Sequence, residues 1–426
     1  AGTVRHARQA LALAGPEDHT IHGAGGAFLG LAAWAEGNVA EALETFGAAV
    51  RSLHAAGNVV DELDATIVLA DMWVALGRPG RAHELYERSL QRATGGGEPY
   101  PRATADLHVG LAELDRELDD LTSAEDHLET ARVLGQRASI TENRHRWYVA
   151  MADVRAAAGD YDAAAQLLDE AETLYRHGFY PSIRPIPAMK ARFQIAVGDL
   201  DAAAGWAHDR GLSVEDDPAY LREYEYLTLV RLLLAEHRDG HRTDLAGHAS
   251  PAEAALALLD RLHATAVDVG RAGSLVEIRV LQALAHHTDG AVPQALAALE
   301  RVQVDAPEPD RYVRLYLDEG APMEDLLERA LTEQGTSLPE RLVRRLGGAA
   351  ARVEGAPSQQ SLADPLSGRE MEVLRLLDSE LTGPEIARQL YVSVNTLRTH
   401  TKRIFTKLDV NNRAAAVRRA HQLGLL

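Results

Sequence analysis

Gly198-Asp199-Leu200-Asp201-Ala202-Ala203 is one copy of a short pattern that recurs along most of this chain. Its invariant part is a Gly or Asp followed five residues later by an Ala. The same spacing occurs at Gly37 and Ala42, Gly77 and Ala82, Asp119 and Ala124, Gly159 and Ala164, and Gly290 and Ala295. Ser250-Pro251-Ala252-Glu253-Ala254 fits loosely. Most copies lie about 40 residues apart, except around a polar insertion at Glu236 to Ser250. Gly enters the left-handed conformation that ends a helix without a Cβ clash. The Asp, Asn or Pro that follows starts the next helix. The Ala lets two helix backbones approach closely. Such hairpins must bury both faces against neighbours, which predicts a helical solenoid.

Composition agrees with an all-α chain. The 426 residues are too many for one ordinary domain. Hydrophobic residues make up 46% and aromatics only 5%, with Ala and Leu, strong helix formers, dominating. Runs rich in Val, Ile, Thr and Tyr are nearly absent, so few strands are expected. There is no cysteine, which excludes disulfides, thiolate metal sites and cysteine nucleophiles. No stretch approaches the ~18 apolar residues of a membrane span. Ala1 to His6 lack a signal-peptide core, and a cytoplasmic protein is expected. No nucleophile–base pair, metal-ligand spacing or phosphate-binding loop is visible, so no catalytic residue, metal or cofactor is assigned.

The repeats resemble tetratricopeptide repeats of the longer kind. Three domains follow: the array at 1–346, a Gly-, Ala-, Ser- and Pro-rich linker at 347–365, and a C-terminal module at 366–426. Val4 to Ala14 reads as the second helix of a hairpin whose first is missing, so the chain is expected to be part of a longer protein. Thr94 to Pro101 reads as a loop. His237, His241 and His248 read as residues of a solvated insertion, not ligands, and His286-His287 likewise. Trp34, Trp73, Trp147 and Trp206 are expected to serve helix packing. The array is either a sensor of a small molecule or protein, or a spacer.

The net charge of −19 is unevenly spread. From Leu366 to Leu426 there are ten Arg or Lys against six Asp or Glu, and from Arg388 onward eight against one. Screening limits exposed charges to a reach of ~8–10 Å, so local sign governs phosphate binding. Ser367 with Glu370, and Thr382 with Glu385, predict two capping boxes. Helices are expected after each, then from Val394 to Leu408, and from Asn411 to Leu423. This is a helix-turn-helix arrangement. In the third helix Leu397, His400, Ile404 and Leu408 form one buried stripe. Arg398, Thr399 and Lys402 share the outer face, where Arg and Lys can donate to guanine. Asn395, Thr396, Arg403 and Lys407 flank them and suit phosphates, as do the helix starts at Thr382 and Ser393.

The stretches Leu366-Ser367-x-Arg369-Glu370-x-Glu372-Val373-Leu374, Glu385-Ile386-Ala387-x-x-Leu390-x-Val392-Ser393-x-x-Thr396-Leu397-x-x-His400 and Ile404-x-x-Lys407-Leu408-x-Val410-x-x-Arg413-x-x-Ala416-Val417 resemble the LuxR-type DNA-binding domain. That resemblance implies a four-helix fold that reads the major groove of an operator, as a homodimer on an inverted repeat. It places base contacts at Arg398, Thr399 and Lys402, and a dimer contact at Val417, Ala420, His421 and Leu425. Gly383-Pro384 departs from the family's polar residue there, and Arg398 replaces its commoner Lys. The array, with Tyr312 to Leu327, resembles the sensor region of the large ATP-dependent LuxR regulators that include the maltose-regulon activator. This implies an activator that engages RNA polymerase. No G-x-x-x-x-G-K-[ST] occurs, so this chain is not expected to hydrolyse ATP. The competing reading is a repeat scaffold with only non-specific DNA binding.

Overall fold

The computed structural model describes residues 2–97, 100–176, 180–240, 244–247, 250–333, 337–353, 368–379, 381–390, 394–408, 410 and 413–422. Side chains at 348–353, 368–369, 394–396, 398–399, 406, 414–415, 418 and 421–422 lie outside that description. The described secondary structure is all helical.

After α1 (Gly2–Leu13) come seven helix pairs. They are α2 and α3 (His19–Ala35, Val39–Ala55), α4 and α5 (Val59–Ala75, Pro79–Thr94), and α6 and α7 (Thr104–Glu117, Leu121–Leu134). Next are α8 and α9 (Arg144–Ala157, Tyr161–Leu174), α10 and α11 (Ile186–Ala196, Leu200–Asp209), α12 and α13 (Glu223–Asp239, Pro251–Asp268), and α14 and α15 (Ala272–Thr288, Val292–Asp305). Three further helices close the array: α16 (Arg314–Leu317), α17 (Ala321–Thr332) and α18 (Glu340–Val353). The C-terminal module holds α19 (Gly368–Leu377), α20 (Gly383–Gln389), α21 (Val394–Lys407) and α22 (Arg413–Gln422). No described helix is long and apolar enough to cross a membrane.

The repeat pattern has a direct structural cause. Gly37, Gly77, Asp119, Gly159, Gly198 and Gly290 all carry positive φ, between 61° and 87°. The matching Ala42, Ala82, Ala124, Ala164, Ala203 and Ala295 are all 0% exposed. Each turn therefore reverses the chain, and each alanine sits where the two helices meet. A larger side chain there would overpack the hairpin by about 1–3 kcal/mol. Asp120, Asp160 and Asp199 cap the following helices through their carboxylates. In the sixth pair the polar insertion replaces the tight turn, and Ser250 with Glu253 forms a capping box that restarts the helix. The four tryptophans pack between helices. Trp34 is 2% exposed and its indole donates to the Tyr220 hydroxyl at 3.0 Å; Trp147 donates to the Leu128 carbonyl at 2.8 Å.

The array curls until its early turns meet its late ones. Gly273 lies so near α4 that a Cβ on it would come within 2.5 Å of the Val74 carbonyl oxygen. The Gly80 amide donates to Glu308 at 2.6 Å. Glu117 accepts the Val313 and Leu315 amides at 3.2 and 3.0 Å, and Asp119 accepts Arg314 at 3.1 Å. Asp119 is the one turn residue of the six that is not Gly. Asp tolerates left-handed backbone, and here its side chain also carries the closure.

One expected boundary moves. The last array helix does not stop at Leu346; α18 continues to Val353 through Gly347-Gly348-Ala349-Ala350-Ala351. Three consecutive Ala, the best helix former, offset two glycines. Residues 354–367 lie outside the described residues.

Candidate functional site

The C-terminal module has its own core. Val373, Leu374, Leu377, Ile386, Ala387, Leu390, Leu397, Ile404, Leu408, Ala416 and Ala420 form one buried cluster. At the start of α20, Glu385 accepts from the Thr382 amide at 2.8 Å and from its hydroxyl at 2.6 Å. These bonds hold the Glu385 carboxyl below its ordinary range. They also commit the only Thr382 hydroxyl proton, which leaves backbone N–H groups as the donors of this helix start. Arg413 was only a motif position in the sequence. In the structure it donates to the Leu377 and Leu381 carbonyls at 2.7 and 2.6 Å, and to Ser379. It thereby closes the orphan carbonyls at the end of α19 and fixes the turn into α20.

On α21 the expected inner stripe is present: Leu397, His400, Ile404 and Leu408 are all buried, and Lys402 is exposed. The Arg398, Thr399, Asn395 and Thr396 side chains lie outside the described ones, as do Ser367, Ser393, Leu425 and the His421 side chain. Arg403 donates to Asp126 of α7 at 2.9 Å, so it must leave that carboxylate to reach a phosphate. Lys407 does something the sequence did not reveal. Its ammonium donates at 2.9 Å to Glu370, whose side chain is 0% exposed, and Lys407 itself is only 13% exposed. It is an internal counter-ion, not an outward phosphate contact. Ala420 is likewise not a surface residue: it is 0% exposed inside the module's own core, while Val417 is half-buried.

The closed array encloses a chamber of about 650 Å³. Its wall comes mainly from the inner helices α4, α6, α10, α12 and α14. Sequence reasoning missed it, because its polar residues are spread over more than two hundred positions. Tyr86, Tyr161, Tyr220, Tyr224 and Tyr312 line it, and none of the four tryptophans does. The Arg192 guanidinium stacks on the Tyr224 ring at 3.6 Å. Burial alone would raise the Glu277 carboxyl, but Arg192, Arg231 and Arg184 outweigh it and hold it at about 2.

A family model described as the MalT-like TPR region matches residues 2–333, and one described as bacterial regulatory proteins, luxR family, matches residues 364–420. The HTH-type transcriptional regulator MalT of Klebsiella pneumoniae is 27% identical over 291 residues, covering 63% of this chain and 30% of that protein. The probable transcriptional regulatory protein NarL of Mycobacterium tuberculosis is 45% identical over 65 residues, 15% of this chain and 30% of the relative. The MalT of Vibrio cholerae is 41% identical over 59 residues, 14% of this chain and 6% of the relative. The chain thus spans 30% or less of each of these relatives. It belongs to the MalT-like TPR-region family and ends in a regulatory domain of the luxR family.

Proposed function

We propose that this chain regulates bacterial transcription by binding duplex DNA through its C-terminal module, with α21 in the major groove. The observation that carries the reading is the division of α21 within the luxR-family match. Leu397, His400, Ile404 and Leu408 are buried while Lys402 is exposed, so positions 398, 399 and 402 fall on the face away from the core. Arg398, Thr399 and Lys402 then read base edges. Asn395, Thr396, Ser393, Arg403 and the first-turn amides at Thr382 hold phosphates. A second copy joins through Val417, His421 and Leu425, which suits an inverted-repeat operator. The array holds an effector in its chamber, and activation proceeds through RNA polymerase in the cytoplasm.

The test is duplex binding as a function of salt. With roughly six phosphate contacts, affinity falls ~10³-fold between 50 and 200 mM salt. A flat salt response overturns the reading.

A further inference from the structure

The chamber wall presents eight carboxylates, and among the described residues seven of them have a partner. Asp71, on the inner side of α4, is the exception: no cation lies within 4.0 Å of it in the described structure. Beside it stands Tyr86, 2% exposed, whose hydroxyl oxygen is buried with no hydrogen-bond partner. Arg146 is close to both: its Nη2 donates to Glu113 at 2.5 Å, and its Nη1 is buried without a hydrogen-bond partner. The Tyr86 ring lies against the bare backbone of Gly110, where a Cβ would fall 2.1 Å from the ring carbon bearing the hydroxyl. Helix α6 therefore sets where that hydroxyl stands. Asp71 and Tyr86 both line a chamber large enough for a small ligand.

We propose that the chamber holds a small organic cation whose protonated amine docks between the Asp71 carboxylate and the Tyr86 hydroxyl. The proposal rests on the reading of the array as an effector sensor and names the effector's chemistry. An ammonium has three donors and no acceptor, which suits the Asp71 carboxylate and a hydroxyl beside it. Burial pushes the Asp71 carboxyl up to about 6, against the pull of Arg146 and Arg184. A bound counter-ion removes that penalty.

The experiment uses the full chain with putrescine, agmatine and spermidine as probes, and sorbitol and succinate as neutral and anionic comparisons. Binding is read by calorimetry and by thermal shift at 150 mM salt. At least one amine is expected to bind and to raise the melting temperature. Asp71→Asn should weaken that binding at least tenfold and Tyr86→Phe severalfold, while Asp162→Asn, an exposed acid on α9, should leave it unchanged. Asp71→Asn should melt no lower than the parent without ligand, which separates lost binding from lost folding. Equal amine binding by the parent and Asp71→Asn overturns the proposal and assigns the amines to the acidic surface. Binding of sorbitol or succinate but no amine overturns the cation while leaving the sensor reading intact. No binding by any of the five probes counts against both.

Discussion

Lys407 Nζ donates to Glu370 Oε2 at 2.9 Å and ties the end of α21 to the start of α19. Because the Glu370 side chain is fully buried, removing this counter-ion weakens the compensation of a charge in the core, and breaking a buried pair typically costs about 3–5 kcal/mol. Lys407→Ala should therefore unfold α19–α22 locally and lower amide-exchange protection there, within an otherwise intact chain. Replacing both partners by apolar residues, Glu370→Leu with Lys407→Met, should restore most of the protection. If Lys407→Ala instead keeps full protection and lowers the salt slope of DNA binding by about one contact, Lys407 is a phosphate ligand after all.

Ring closure should be sensitive to pH through Glu117. Burial lifts its carboxyl to about 7, although Arg116 and the Leu315 and Val313 amides pull it down. The folded chain therefore holds this proton more tightly than the unfolded chain, whose value is near 4.5. Stability is lost as pH rises through that window. Asp71 and Asp106, both raised by burial to about 6, act in the same direction. The melting temperature should fall between pH 5 and pH 8. Glu117→Gln keeps an acceptor for both amides without the charge. It should gain on the order of 1–3 kcal/mol relative to the parent at pH 8 and little at pH 5. A difference that does not change with pH would remove Glu117 from the account.

Two helical glycines should respond oppositely to alanine. Gly110 on α6 faces the Tyr86 ring, and its Cβ would sit 2.1 Å from the ring. Gly110→Ala should destabilise the array by about 1–3 kcal/mol or more through overpacking. Gly205 on α11 is exposed and has nothing within 4 Å of a Cβ. Gly205→Ala should stabilise by roughly 0.5–1 kcal/mol through helix propensity. Chemical denaturation of the two variants beside the parent decides both signs.

What could be read from the sequence was local in the chain. The positive-φ turn residues and their partner alanines lie five residues apart, so one window contains the whole hairpin contact, and all six copies folded as that spacing predicts. The inner stripe of α21 is likewise local, fixed by a 3.6-residue period. What could not be read depends on distant pairs. Glu117 meets Val313 and Leu315, Tyr86 shares a chamber with Asp71 and Tyr224, and Lys407 finds Glu370 thirty-seven residues away. A lysine at that position looks the same in sequence whether it faces water or a buried carboxylate. Only the packing of α19 on α21 decides it.

The recognition face can be tested at Arg398. Leu397, at 4% exposure, and Ile404, at 0%, fix the rotation of α21. Position 398 lies one residue, about 100°, from Leu397, and one turn from the exposed Lys402, so 398 and 402 share a face. An arginine there can make a bidentate pair with guanine O6 and N7, which discriminates by about 1–3 kcal/mol against the wrong base. Arg398→Ala should therefore relax preference at one or two base pairs of each half-site. Arg398→Lys should retain affinity better than preference, because it keeps the charge and loses the fork. Arg403→Ala should instead weaken all sequences alike and reduce the salt slope by about one contact. Competition binding against a randomised operator separates the two patterns. Uniform loss of affinity in Arg398→Ala, with its base preference intact, would mean that α21 enters the groove with a different face.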